Sequence, residues 1–364
     1  MADLQDDLPT MTEVGEDDAL PDGLFPERPS GELLERAHSL LAGHPVADGC
    51  SGLPWVVREG GEAALDTDLP RLREGYVGAL FWSLHPPEAP GGGRALTATL
   101  EQLDLVRTVI EAHPEWLRLV RTAGEIIDAR NCGRVAVVPG PAHGAAMDDS
   151  LAVLRMLRAL GLRVLTLAGT AWAGESGLTR FGEEVVREMN RLGVLADVSG
   201  ASPATVGRTV ALSRTPVLCS RSAARALRPH PANLPDDLLA ALGEAKGLCM
   251  VPLTAEQTGP AVADAADHLD HVRDVAGPES VGLSGTYAFG AAHPRDPADA
   301  SRCPHLIAEL LRRGWSETEL ALLTWGNVQR VLRSADFTAR ATQYRPKASH
   351  ARITELDARG PSRP

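Results

Sequence analysis

The residues that could do chemistry stand just after short apolar runs of the chain. A first run, residues 45–47, is followed by Cys50, and later runs are followed by His85, His143 and Arg221. A thiol can act as a nucleophile or soft metal ligand, although a buried cysteine is more often inert packing. An imidazole can transfer protons or bind metal, and a guanidinium can bind a carboxylate through two parallel hydrogen bonds.

These side chains converge only if the apolar runs are strands of one parallel sheet. Apolar runs of strand length alternate with amphipathic helical patterns, which predicts a single α/β (β/α)8 TIM-like barrel with extra N- and C-terminal helices. In such a barrel, chemistry takes place at the carboxyl ends of the strands. The runs that we assign to strands are 45–47, 76–84, 134–138, 163–167, 194–198, 216–220, 247–253 and 280–284.

Three segments divide the chain by composition. Residues 1–30 are acidic and predict a disordered tail, residues 31–340 carry the barrel pattern, and residues 341–364 predict a basic, mobile tail. The net charge of −12 argues against a protein that binds nucleic acid through phosphate contacts. The chain has no signal-like start and no apolar run of about 18 residues, so we expect no membrane span. Five cysteines without a C-x-x-C pair favour reduced thiols and a cytoplasmic location.

The barrel pattern contains motifs of a known family. The stretch DGCSGLPW at 48–55 resembles D-G-H-N-D-x-P-W, the opening motif of the membrane (renal) dipeptidases. VGALFWSL at 77–84 and FGEEVVREMNRLGVLADVS at 181–199 resemble further segments of that family, and matches continue in order from about residue 47 to residue 332. The resemblance implies a barrel enzyme with a two-zinc site that hydrolyses dipeptides, and a dimeric assembly.

The residues that the family uses for zinc and catalysis are different in this chain. The zinc ligands of the family map to Cys50, Gly52, Ala142, Gly200 and Arg221. The catalytic His and Asp map to Gly169 and Thr286, and the substrate-binding Arg maps to Ala232. Because these positions lack the family's ligands, we expect that the protein binds no zinc and has no cofactor. We assign no catalytic residue, and the sequence leaves open whether the chain is an enzyme.

Three functions compete on this basis. The first is a zinc-free, inactive member of the family that acts as a partner or regulatory subunit. The second is a rebuilt enzyme or a binding protein for a peptide-like or carboxylate molecule, and the third is a metal-dependent dipeptidase. An open cleft with converging polar groups and a perturbed titratable group would favour the second over the first. The residues that could line such a pocket are Cys50, Ser51, Trp82, His143, Arg221, Thr286 and Tyr287.

Two further expectations concern single side chains. Arg221 either fills the place of a lost metal or binds an anion. His268 and His271 lie three residues apart in a helical pattern and predict a surface pair.

A last expectation concerns assembly. As partners we expect a second copy of the chain, or an intact dipeptidase paralogue in a heterodimer, with no nucleic acid and no membrane. A two-fold interface tolerates a diverged copy if the contact residues stay complementary.

Overall fold

A computed structural model describes residues 30–60, 63–85, 94–287, 293–294, 299–342 and 348–357. The predicted acidic tail falls almost entirely outside these residues. Within the described part of the chain, no helix is long and apolar enough to cross a membrane.

Parallel strands form the centre of the molecule. They are β1 (Val46–Ser51), β2 (Val77–Trp82), β3 (Val135–Pro139, continued by Ala142–His143), β4 (Val164–Thr166), β5 (Leu195–Asp197), β6 (Leu218–Cys219), β7 (Leu248–Pro252) and β8 (Val281–Ser284). Short strands at Leu117–Leu119, Ala173–Gly174 and Gly177–Leu178 lie outside this set.

The strand pairing closes into a barrel. Asp48 of β1 pairs with Leu80 of β2 on one side and with Leu283 of β8 on the other. Between β3 and β4, Ala142 pairs with Leu165, and the remaining neighbours pair in chain order. The predicted TIM-like barrel is therefore confirmed.

Helices cover the outside of the barrel. They are α1 (Gly31–Gly43), α2 (Leu53–Gly60), α3 (Ala63–Glu74), α4 (Arg94–Ala112), α5 (Ala123–Asn131), α6 (Leu151–Leu160), α7 (Arg180–Leu192), α8 (Pro203–Leu212), α9 (Asp236–Glu244), α10 (Val262–Ala276), α11 (Cys303–Arg312), α12 (Glu317–Ala321), α13 (Asn327–Thr342) and α14 (Ile353–Leu356). The strands are buried on both faces, which explains their continuous apolar sequence.

Helix α7 shows why the local sequence folds as it does. Thr179 caps its N-terminus by accepting from the Gly182 amide at 3.1 Å, and Gly193 ends it in the left-handed conformation at φ 69°. Threonine is a preferred residue at a helix N-cap, and glycine is preferred where a helix ends in the left-handed conformation. Phe181 and Val185 lie on its buried face, so the helix is held by tertiary packing rather than by propensity.

The C-terminal segment contacts the barrel over residues 348–357. The Asp357 carboxylate accepts from the Thr179 hydroxyl at 2.6 Å and from the Phe181 amide at 3.0 Å. Arg155 of α6 donates to the Ser349 carbonyl at 3.0 Å. This part of the predicted mobile tail is thus fastened to α6 and α7, because its carboxylate completes the cap of α7.

Two other segments interrupt the helical layer. The short strand Leu117–Leu119 lies between α4 and α5 and adds to the edge of β3. Helices α12 and α13 are joined by a π-helical turn at Leu322–Gly326. The side chain of Asn327 then bonds the carbonyls of Pro278 and Val281, so long-range hydrogen bonds accompany a change in helix geometry that periodicity does not show.

The predicted surface pair of histidines is wrong for His268. Its side chain is 2% exposed, and its Nδ1 accepts from the Ala224 amide at 3.1 Å. Burial lowers the pKa of His268 to about 4. His271 does lie near the surface, where its Nε2 is 2.8 Å from Asp236.

The pKa of His268 predicts an acid-sensitive fold. Below about pH 6.5 the unfolded chain protonates this ring while the folded chain does not, so stability falls until the pH reaches about 4. Between pH 7 and 4.5 the free energy of unfolding of the wild type should fall by about 1–2 kcal/mol more than that of His268→Gln, a range that allows for partial solvation of the ring. Urea denaturation at both pH values measures this. His271→Gln is the control, and an equal loss in wild type and His268→Gln would contradict the prediction.

Candidate functional site

The buried carboxylate of Asp197 organises the carboxyl end of the barrel. It accepts from the hydroxyl of Thr166 at 2.6 Å. It also accepts from the hydroxyl and amide of Ser199 at 2.7 and 3.2 Å, and from the amide and hydroxyl of Ser220, each at 2.9 Å. These donors come from the ends of β4, β5 and β6, so one side chain fixes three neighbouring strand ends.

Two histidines lie beside this cluster. His85 Nε2 is 3.0 Å from the Thr166 hydroxyl, and the rings of His85 and His143 meet edge-on with centroids 5.7 Å apart. His143 Nδ1 accepts from the Ala145 amide at 3.1 Å. Burial, with added repulsion from Arg221 and His143, holds the pKa of His85 well below its usual value. Burial also lowers the pKa of His143.

A cavity of about 280 Å³ opens over the ends of β5 to β8, and we name it the mouth cavity. It has one guanidinium, from Arg221, and one carboxylate, from Glu256. The Thr254 hydroxyl is buried there without a hydrogen-bond partner among the described residues. The lining residues are Ser199, Gly200, Arg221, Ala232, Thr254, Glu256, Gln257 and Thr286. The barrel mouth is therefore an open polar cleft rather than an apolar plug.

Thr286 carries local backbone strain at this cavity. It is a β-branched residue at φ 55°, a conformation that costs such residues about 1–3 kcal/mol. Its amide donates to the Cys50 carbonyl at 2.9 Å, which ties the end of β8 to β1. Strain of this kind is commonly found at ligand sites.

Cys50 lies inside the barrel as a protonated thiol. Its side chain is fully buried, and burial raises its pKa to about 12, although the nearby Arg221 acts in the opposite direction. A thiol with this pKa is a weak nucleophile and a weak ligand at neutral pH. The geometry therefore favours packing as the role of Cys50.

A second cavity, of about 230 Å³, lies beside β1 and β8, and we name it the side cavity. Ser51 and Tyr287 line it, together with Asp48. Asp48 accepts from the amides of Cys50 and Gly285 at 3.1 and 2.6 Å, and burial raises its pKa to about 7. Burial also raises the pKa of Tyr287 well above its usual value.

The predicted pocket residues thus separate into distinct places. Arg221 and Thr286 line the mouth cavity, while Ser51 and Tyr287 line the side cavity. Trp82 is 1% exposed and lies within the barrel wall. The sequence did not predict the hydrogen-bonded link from Asp197 through Thr166 to His85. The aspartate within the apolar run LADV was the signal of a buried polar group at this place.

Two of the positions mapped to family histidines are glycines with left-handed backbones. Gly169 has φ 76° and Gly200 has φ 71°, a region that glycine adopts without a steric cost. A Cβ at Gly169 would lie 2.9 Å from His143 Nε2, whereas at Gly200 the nearest atom would be 3.9 Å away. The local fold therefore favours glycine at both places and leaves room for the His143 ring at the first.

Comparisons with known proteins decide the family. The family model for membrane dipeptidase (peptidase family M19) matches residues 34–346. The chain belongs to the membrane dipeptidase family. Dipeptidase 3 of Mus musculus is 39% identical over 334 residues, covering 84% of this chain and 67% of that protein.

Solved structures show the same fold. The probable dipeptidase PvdM from Pseudomonas aeruginosa has a TM-score of 0.76 at 20% identity, over 85% of this chain and 99% of its own. A metallo peptidase from Rhodobacter sphaeroides, bound to a phosphinate mimic of L-Ala-D-Ala, has a TM-score of 0.69 at 22% identity, over 80% and 99% of the two chains.

The predicted absence of zinc, and of any cofactor, is corrected by these comparisons. The chain belongs to a dipeptidase family whose members are zinc metallopeptidases, and a structural neighbour is a metallo peptidase. Substitutions at mapped positions were therefore not sufficient grounds to predict that this membrane dipeptidase relative lacks the metal.

The side chains at the mapped positions do not form a zinc site. A zinc site needs several nitrogen, oxygen or thiolate donors around one point. Among the described residues, no group of three or more His, Cys, Asp or Glu side chains is arranged to hold a metal ion. Cys50 is protonated, and Arg221 brings a positive charge, so these side chains do not fit the ion at the mapped place.

The two glycines give a matched test of this local geometry. Gly200→Ala should cost about 1 kcal/mol of stability for its backbone conformation alone. Gly169→Ala should cost about 1–2 kcal/mol more, because the new methyl group also meets the His143 ring. Urea denaturation of both variants measures the difference. Adding His143→Ala to Gly169→Ala should remove the excess, and equal costs for the two glycines would contradict the proposed contact.

Proposed function

We propose that the mouth cavity binds a small zwitterionic, peptide-like ligand such as a dipeptide. Arg221 receives the ligand's carboxylate, and Glu256 receives its ammonium group. The observation that carries this proposal is the presence of one guanidinium and one carboxylate in the lining of a single cavity above the strand ends. A guanidinium suits a carboxylate because its planar N–H groups match the two oxygens.

Position and size support the same ligand class. Binding sites of TIM barrels lie at the carboxyl ends of the strands, where the mouth cavity lies. Its volume of about 280 Å³ is near the lower end of ordinary ligand pockets, which favours a small molecule over a long peptide. The Thr254 hydroxyl, which has no hydrogen-bond partner within the described part of the chain, offers a further hydrogen bond inside the cavity, since buried polar groups are normally paired.

Metal-dependent hydrolysis of dipeptides is the second candidate function, and family membership favours it. Catalytic inactivity and a role as the partner subunit of a homodimer or heterodimer stay predictions from the sequence. Ligand binding at the mouth cavity is compatible with either outcome, because binding needs only the charged lining.

Calorimetric titration with L-Ala-D-Ala and L-Ala-L-Ala tests the binding proposal. Arg221→Gln should weaken binding by about 10- to 100-fold, the effect expected for loss of a charge-assisted hydrogen bond. Glu256→Gln should weaken binding of the free dipeptide but not of its N-acetylated form. Arg225→Gln is the matched control, since its side chain bonds the Pro231 carbonyl and is not among the residues that line the mouth cavity.

Two results would contradict the proposal. One is equal affinity for the dipeptide and its C-terminal amide, and the other is unchanged affinity in Arg221→Gln. Amine release from the same dipeptides, measured with added Zn²⁺ and with a chelator, decides separately whether the second candidate function is correct.

A further inference from the structure

A third cavity, of about 270 Å³, lies at the opposite end of the barrel from the mouth cavity, and we name it the basic cavity. Val77 and Val135, the first residues of β2 and β3, line it together with Pro45, which precedes β1. The basic cavity therefore lies at the amino ends of the strands. Chemistry in TIM barrels takes place at the carboxyl ends, so a ligand bound here is separated from the site proposed above.

Three guanidinium groups line the basic cavity, and they belong to Arg73, Arg130 and Arg134. No carboxylate is found among the described residues of its lining. None of the three arginines forms an ion pair within the described part of the chain, whereas Arg163 and Arg313 each pair with a carboxylate at 2.8 Å. In a chain with a net charge of −12, an uncompensated cluster of cations indicates a binding place for an anion.

The local structure fixes these arginine side chains at the basic cavity. Arg73 lies in the last turn of α3, and its guanidinium carbon is 4.0 Å from the ring centroid of Trp116. Arg130 lies in the last turn of α5 and donates to the Gly43 carbonyl at the end of α1. Helix dipoles favour a cation at these two helix ends, but they do not account for Arg134, which lies outside both helices.

Aromatic and aliphatic side chains form another part of the lining, including those of Tyr76, Trp116 and Leu69. Tyr76 has a left-handed backbone at φ 57°, a conformation that is costly for a residue with a bulky side chain. Its ring forms a tilted pair with His38, with the two centroids 5.6 Å apart. The basic cavity thus combines positive charge with a flat apolar wall, which suits a ligand that carries an anionic group on a ring.

We propose that the basic cavity binds a small phosphate monoester that carries a flat ring. The phosphate oxygens accept from Arg73 and Arg134, and the ring packs against Tyr76. Guanidinium groups bind phosphate through paired hydrogen bonds. A phosphate monoester has a charge of about −1.5 to −2 at pH 7, so it balances several cations better than one carboxylate does. The volume of about 270 Å³ is near the lower end of ordinary ligand pockets, which favours one phosphate on one ring over a dinucleotide.

This ligand acts on the stability of the protein. The arginines that bind it come from α3, from α5 and from the segment before β3, which meet only in the folded chain. A ligand that binds only the folded chain stabilises it by mass action. The melting temperature should therefore rise with the concentration of the ligand.

Calorimetric titration of the full chain with phenyl phosphate, inorganic phosphate and benzoate tests the ligand class. Phenyl phosphate should bind at one site per chain and raise the melting temperature. Inorganic phosphate lacks the ring and benzoate carries a single negative charge, so each should bind about tenfold more weakly. Equal affinity for phenyl phosphate and either of the other anions, or no saturable binding of phenyl phosphate, would overturn the proposal.

Single arginine variants test whether the anion binds at the basic cavity. Arg73→Gln and Arg134→Gln should each weaken phenyl phosphate binding by about 10- to 100-fold, as expected for loss of a charge-assisted hydrogen bond. Arg333→Gln is the matched control, because Arg333 is exposed on α13 and is not among the residues that line the basic cavity. A loss of affinity in Arg333→Gln as large as that in Arg73→Gln would mean attraction by overall charge only, which contradicts the proposed site.

Tyr76→Gly separates the contact with the ring from the contact with the phosphate. Glycine adopts a φ of 57° without steric cost, so the backbone can keep its conformation. The variant should bind phenyl phosphate as weakly as inorganic phosphate, while its affinity for inorganic phosphate stays that of the wild type. Unchanged affinity for phenyl phosphate would contradict the proposed packing of the ring.

These measurements are independent of the proposed function. Dipeptide binding at the mouth cavity should be the same in the wild type and in the Arg73, Arg134 and Tyr76 variants, so either proposal can fail while the other stands. If Arg73→Gln does not fold, Arg134→Gln decides, and wild-type affinity for phenyl phosphate in that variant contradicts the proposal.

Discussion

The structure of the site depends on one buried carboxylate. Asp197 is inaccessible to solvent and is stabilised by donors from the ends of three strands. A buried carboxylate without such donors would be costly, so the surrounding hydroxyls and amides are held where they can reach it. The positions of Thr166, Ser199 and Ser220 follow from this requirement, and through Thr166 so does the orientation of His85.

Burial and positive charge then set the chemistry of the remaining groups at the mouth. Burial disfavours the charged form of every titratable side chain, which keeps His85 neutral and Cys50 protonated. The Arg221 guanidinium lies near these imidazoles and adds to the repulsion that opposes protonation of His85. This guanidinium is the group to which the proposed carboxylate recognition is assigned.

Family membership and local chemistry give different information about this protein. The membrane dipeptidase scaffold is retained over most of the chain, and it implies metal chemistry in the family. Among the described residues, in contrast, no group of three or more His, Cys, Asp or Glu side chains is arranged to hold a metal ion, and the mouth cavity has one guanidinium and one carboxylate. A fold does not by itself determine its chemistry.

The sequence by itself determined the barrel, because short apolar runs alternating with helical patterns have few other ways to bury their surface. It also determined the family and the placement of Arg221 and Thr286 at strand ends. It did not determine the burial of His268, the π-helical turn before Asn327, or the contact of Asp357 with α7. Only the tertiary structure decided these three features and the hydrogen-bonded link from Asp197 through Thr166 to His85. Each depends on contacts between residues far apart in sequence, and no local sequence pattern shows that such residues lie close together.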